Sequence, residues 1–167
     1  MLKDVKMKAT YIIDTSQILT RQLKEQINRI FVENQSYENL VITIRSFGFK
    51  YGIPADSDLV FDVRFLPNPF YIQELKEMTG NDEPVSSYVM SFEESQTFLK
   101  KLVDMVEFLI PLYIKEGKNN LVISIGCTGG KHRSVTLANA LYAALGQDKH
   151  TMLLQHHDIE KDARHKK

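Results

Sequence analysis

Apolar and polar positions along this chain recur with a period that changes from block to block, and each change marks an expected element. Ala9-Thr10-Tyr11-Ile12-Ile13 predicts a short strand, and Asp14, Thr15 and Ser16 offer side chains suited to capping a helix. Ile18, Leu19, Leu23, Gln26, Ile27 and Ile30 follow at helical spacing, so a helix is expected to about Glu33. Asn39 to Arg45 predicts a second strand, closed by the loop Ser46-Phe47-Gly48-Phe49-Lys50-Tyr51-Gly52, and Leu59 to Arg64 a third. Leu66-Pro67-Asn68-Pro69 must be extended, because each proline disfavours the helical region at the residue before it.

Ser91-Phe92-Glu93-Glu94 has the form of a capping box, and Phe98, Leu102, Met105, Val106, Leu109 and Tyr113 continue it as a long amphipathic helix. That helix is expected to kink near Pro111 and to stop at Gly117. Leu121 to Ile125 is a strand, Arg133 to Leu145 a helix and Thr151 to Leu154 a last strand. The tail from His156 to Lys167 is polar and expected to be partly disordered. Strands alternating with helices predict an α/β fold, a mostly parallel sheet with helices on both faces. Ligands bind such sheets beyond the carboxyl ends of the strands. Three loops leave strand ends, at 46–52, 65–69 and 126–132, and they are expected to line one cleft.

Composition changes this picture little. A chain of 167 residues with 43% hydrophobic and 25% charged residues is an ordinary single globular domain. Its formal net charge is zero, so no global field favours nucleic acid. One cysteine cannot form an internal disulfide, no apolar run approaches a membrane span, and no signal segment opens the chain. A cytoplasmic location without membrane contact is the expectation.

The chemistry concentrates in Gly126-Cys127-Thr128-Gly129-Gly130-Lys131-His132-Arg133-Ser134, between a strand and a helix. Glycines there let backbone N–H groups converge on an anion at a helix start. Thr128 and Ser134 add hydroxyls, Lys131 and His132 add charge, and Arg133 has the fork geometry for phosphate. The plain alternative is a tight turn with basic residues on its surface. The pattern is not Walker A, since no Gly-x-x-x-x-Gly-Lys-Ser/Thr occurs in the chain. A second functional reading takes the same residues as C-x-x-G-x-x-R-S, a cysteine phosphatase loop with Cys127 as nucleophile and Arg133 lowering its pKa. Asp56, Asp58 or Asp62 would then serve as general acid, although Gly126 stands where such enzymes usually carry histidine.

Around this loop, Asp62 and Arg64 share one face of the third strand, where Arg64 either meets a ligand or pairs with Asp62. Lys50 and Tyr51 offer charge and a ring or hydroxyl, unless Phe47 and Phe49 simply close the core. Asn68 is rigidly held between prolines, which suits a ligand contact or a turn. His150, His156 and His157 make no convincing metal site. Lys161, Arg164, Lys166 and Lys167 could meet phosphate backbone, but the acids among them favour a solvated tail.

Ser46 to Pro54, Asp58 to Pro69 and Gly126 to Val135, with Met78-Thr79-Gly80 and Pro84-Val85 between them, together resemble the C-terminal domain of the RapZ/YvcJ family over about residues 36–160. On this resemblance 1–35 is a remnant of an N-terminal nucleotide-binding domain or a linker, 36–155 the domain proper and 156–167 a tail. The resemblance implies a fold like a phosphofructokinase subdomain. It implies ATP or GTP bound by full-length members through an N-terminal Walker A loop, and no cofactor in this chain. It also implies a phosphorylated sugar or nucleotide-sugar held by Thr128, Gly129, His132 and Arg133, a small RNA and an endoribonuclease as partners, and a homo-oligomer. The chain is therefore expected to bind and regulate rather than to catalyse.

Overall fold

Four runs rich in β-branched and aliphatic residues assemble into one sheet in the computed structural model, which describes residues 9, 11–16, 18–31, 40–146 and 150–161. The strands are β1 (Val41–Gly48), β2 (Leu59–Asp62), β3 (Asn120–Cys127) and β4 (Thr151–His156), in the order β2-β3-β1-β4, and every pairing is parallel. The helices are α1 (Thr20–Phe31), α2 (Glu83–Met90), α3 (Glu93–Glu116) and α4 (Arg133–Leu145). The expected parallel α/β architecture is therefore the observed one.

Both central strands are buried almost throughout, which is why they read as continuous apolar runs. Ile42 and Ile44 of β1 and Leu121, Ile123 and Ile125 of β3 share one core with Val85 and Val89 of α2, Leu102, Val106 and Ile110 of α3, and Leu137 and Leu141 of α4. Alternation sends Arg45 and Ser124 to the opposite face, where the β1–β2 connection covers them. Asp56 there pairs with Arg45, and Ser57 Oγ lies 2.7 Å from Ser124 Oγ. The connection from β1 to β2 and those from β2 to β3 and β3 to β4 run in opposite directions across the sheet on opposite faces, so all share one hand, as the right-handed crossover rule requires.

Several boundaries differ from the sequence expectation for local reasons. Tyr11 to Ile13 form no strand; Tyr11 instead sets its ring edge-on to Phe31 at 5.3 Å. Asp14 accepts from Ser16 in a local turn, and α1 starts only at Thr20, with Gln22 Oε1 taking the Leu19 N–H at 3.1 Å. The capping box at 91–94 is not made. A helix absent from the expectation, α2, precedes it, and Ser91 Oγ donates to Tyr88 O at that helix's C-terminus while Phe92 occupies the N-cap of α3. α3 continues through Pro111 and ends in a left-handed Gly117, φ 84°, where Lys118 N donates to Tyr113 O. β2 stops at Asp62 because its carboxylate accepts the Arg64 N–H at 2.9 Å and turns the chain. Residues 157–161 of the tail are folded against the sheet, and Asp158 among them is 1% exposed. Residues 162–167, and most of 1–35 outside α1, lie outside the described residues.

Candidate anion-binding site

Parallel pairing puts the carboxyl ends Gly48, Asp62, Cys127 and His156 on one edge of the sheet, and the chain leaving each strand meets the others there. Lys50 N donates to Thr128 O at 3.2 Å and Val63 N to Gly126 O at 2.9 Å. The three loops expected to form one cleft therefore do converge, and a fourth segment, 157–161, joins them: His157 N donates to Ser46 O and Asp158 Oδ2 accepts the Gly48 N–H at 2.8 Å.

The turn from β3 into α4 depends on close backbone approach. A Cβ on Gly48 would lie 2.7 Å from Gly129 C, and Gly130 adopts φ 73° with its Cα against Gly48 and Asp158. A side chain at Gly126 would strike the rings of Phe47 and Phe49, which explains the glycine at that position. Gly80 packs its backbone against His132 O and the start of α4, and its N–H donates to Lys131 O at 2.9 Å. Gly130 N donates to Cys127 Sγ at 3.3 Å. Among the described residues no acceptor takes the N–H groups of Gly129, Lys131, His132, Arg133 or Ser134. Those donors open the positive end of a helix of 13 residues.

The charged residues are placed unequally. Arg133 is 5% exposed, and its guanidinium donates to Arg64 O and Leu66 O, each at 2.9 Å, with Thr128 Oγ1 at 3.4 Å. Its donors tie the β2 loop to the β3 loop. His132 is buried with Nε2 3.3 Å from Lys76 O, and Lys131 Nζ donates to the same carbonyl at 3.1 Å. Burial pushes the His132 imidazole below its ordinary pKa, the Lys131 ammonium adds to that, and the Lys76 carbonyl partly opposes it. Arg64 pairs with Asp62 at 2.6 Å and stacks on the Phe49 ring at 4.1 Å. The Arg64 hydrogen bonds hold the Asp62 carboxyl below the usual range. Lys50 and Lys161 place their ammonium groups 4.8 and 4.9 Å from the Tyr51 ring centroid. Asn68 uses its side-chain oxygen to accept the Phe70 N–H at 3.3 Å, capping a short 3-10 turn, and Ser134 Oγ lies 3.1 Å from Cys127 Sγ.

This arrangement suits anion binding better than thiol chemistry. Cys127 is 3% exposed within the hydrophobic core, and the hydrogen bonds of Arg133 run to backbone carbonyls and Thr128. Each acid considered as proton donor is already committed: Asp56 to Arg45, Asp58 to Lys118 and the Val122 N–H, Asp62 to Arg64. Among the described residues no three His, Cys, Asp or Glu side chains gather to hold a metal, and no helix is long and apolar enough to cross a membrane. Arg164, Lys166 and Lys167 lie outside the described residues. Asp158 escaped sequence reasoning, since an acid in a mixed-charge tail carries no pattern that announces burial.

A family model described as the RapZ C-terminal domain matches residues 40–160. The chain is 62% identical over 163 residues to a nucleotide-binding protein of Agathobacter rectalis, covering 97% of this chain and 56% of that protein. It is 58% identical to a nucleotide-binding protein of Thermoanaerobacter sp., covering 95% of this chain and 56% of that protein. It is 59% identical to one of Clostridium botulinum, covering 96% and 55%. The chain thus spans about half the length of the curated relatives it matches.

Proposed function

Because the chain belongs to the RapZ C-terminal domain family, we propose that it is a ligand-sensing, regulatory domain whose carboxyl-edge loops hold the phosphate of a phosphorylated sugar or nucleotide-sugar. The observation that carries this reading is the set of N–H groups of Gly129 and of Lys131 to Ser134, without acceptors among the described residues, at the start of α4. A phosphate there would accept several of these hydrogen bonds at once. The Thr128 hydroxyl and the Lys131 ammonium stand at the edge of the same turn. Arg133 adds positive potential from beneath the loop and fixes its shape through the carbonyls of 64 and 66. Lys50, Tyr51, Asp62, Arg64 and Asn68 lie on the neighbouring loops and would face the rest of the ligand. The name of the similar nucleotide-binding proteins is consistent with such a ligand.

Isothermal titration calorimetry with glucosamine-6-phosphate and UDP-N-acetylglucosamine tests the proposal. Saturable binding of one, lost with excess inorganic phosphate, is expected. No binding of any phosphorylated sugar, together with no bound anion at 129–134 in a crystal grown with it, overturns it. A phosphatase would instead turn over p-nitrophenyl phosphate in a Cys127-dependent way; the core position of Cys127 argues against that outcome.

A further inference from the structure

Beneath the proposed phosphate loop lies a carboxylate that no part of that reading uses. Asp158 is 1% exposed, accepts the Gly48 N–H at 2.8 Å, and places its Cβ 3.0 Å from the point where a side chain on Gly130 would begin. A negative charge is thus buried against a turn proposed to receive an anion. Lys161, three residues on, closes an ion pair with it at 2.5 Å. His157 is the further cationic-capable neighbour, at 3.9 Å.

We infer that Asp158 is a positioning residue for the anion loop and that Lys161 neutralises it so that the loop can accept phosphate; this rests on the reading above. The Asp158 carboxylate fixes the Gly48 amide, and Gly48 in turn sets the backbone of Gly129 and Gly130, into which its Cα packs. An acceptor in this place is required by geometry, since the Gly48 N–H is buried and an unmet donor there is unfavourable. A carboxylate is a stronger acceptor than a neutral group, but its charge would repel the ligand if left bare. Lys161 removes that conflict while reaching over the Tyr51 ring. The turn at 158–161 thereby becomes part of the site.

The test uses the full chain and glucosamine-6-phosphate as the probe, with Asp158→Asn, Asp158→Ala, Lys161→Met and the double variant Asp158→Asn/Lys161→Met. Lys161→Met exposes the loop to an uncompensated charge and is expected to weaken binding on the order of ten-fold. Adding Asp158→Asn removes that charge, keeps a side-chain oxygen for Gly48, and is expected to restore affinity. Asp158→Asn alone binds at least as tightly as the parent. A Lys161→Met protein that binds like the parent, or a double variant no better than Lys161→Met, overturns the charge-balance role. Amide hydrogen exchange supplies the readout that needs no ligand. Asp158→Ala is expected to speed exchange in both 48–50 and 128–131, and Asp158→Asn in neither. Unchanged exchange in Asp158→Ala overturns the positioning role, whereas a parent that binds no phosphorylated sugar overturns the proposed function and leaves the exchange result to decide the positioning role.

Discussion

Gly48→Ala separates the shape of the phosphate loop from every other property of the site. Gly48 has φ −109° and ψ 121°, a conformation alanine adopts freely, so the substitution introduces no backbone strain. It introduces only a methyl group, which would lie 2.7 Å from Gly129 C and 2.9 Å from both Gly129 O and Gly130 N. These are backbone atoms that no rotamer change can move aside. Reaching ordinary van der Waals contact requires the turn to retreat by about 0.7 Å. Overpacking of this kind costs about 1–3 kcal/mol of stability. The retreat also misaligns N–H groups whose hydrogen bonds weaken steeply away from about 2.9 Å. A loss of glucosamine-6-phosphate affinity of about ten-fold, equivalent to about 1.4 kcal/mol, is expected. Gly117→Ala is the control. Gly117 has φ 84° with nothing within 4 Å of an added Cβ, so alanine there costs about 1 kcal/mol of left-handed strain at the opposite end of β3 and leaves binding untouched. Urea denaturation and calorimetry on both variants decide the matter. Two variants equally destabilised and equally competent in binding would refute the idea that the Gly48–Gly129 approach shapes the site.

Further outcomes follow from the same contacts. Arg133→Met leaves the carbonyls of Arg64 and Leu66 without their shared donor and is expected to cost about 2–4 kcal/mol in urea denaturation, with Arg133→Lys recovering only part because a single ammonium cannot reproduce the fork; a fully stable Arg133→Met protein would show the fork to be dispensable. His132 is held below its ordinary pKa by burial, so the unfolded chain takes up a proton first as pH falls; stability is expected to decline from about pH 6.5 downwards through the lowered folded value, and His132→Gln to flatten part of that decline, with His156 contributing in the same sense. A pH-independent melting temperature across that window would contradict the burial of a neutral imidazole. Cys127→Ala removes a small core side chain and is expected to cost about 1–2 kcal/mol while leaving phosphosugar binding in place and p-nitrophenyl phosphate turnover absent in both proteins; turnover by the parent that the variant loses would restore the phosphatase reading.

Much of the sheet was readable because its strands are buried on both faces and so stand out as apolar runs, as in Leu121 to Ile125 and Val41 to Ile44. The missed helix α2 has the opposite character. Its fully buried positions are only Val85 and Val89, it carries Pro84 in its first turn, and the Thr79–Asp82 hydrogen bonds that precede it are a turn motif without apolar periodicity. That helix also defeated the capping box. Ser91 has the right chemistry for an N-cap, but it is already the end of another helix, and a side chain bonded to Tyr88 O cannot serve both.

At the site, motif spacing located the loops but could not assign their hydrogen bonds. Arg133 follows a glycine loop, and from sequence it reads as a phosphate fork. Its planar donors fit equally well the two carbonyls of a neighbouring loop, and only the fold brings Arg64 O and Leu66 O within 2.9 Å of it. Asn68 and the Asp62–Arg64 pair show the same substitution of an internal partner for an imagined ligand. Backbone groups carry the opposite lesson. The N–H groups of Gly129 and of Lys131 to Ser134 belong to no side chain and leave no mark in residue identity beyond the glycines, yet they form a part of the edge that no described residue satisfies. A phosphate site built this way specifies its anion through backbone geometry and its selectivity through the side chains around it. Substitutions at Lys50, Tyr51 or Arg64 should therefore change which phosphorylated compound is preferred, while changes at Gly48 or Gly130, or loss of the Gly48 acceptor in Asp158→Ala, should weaken all of them alike.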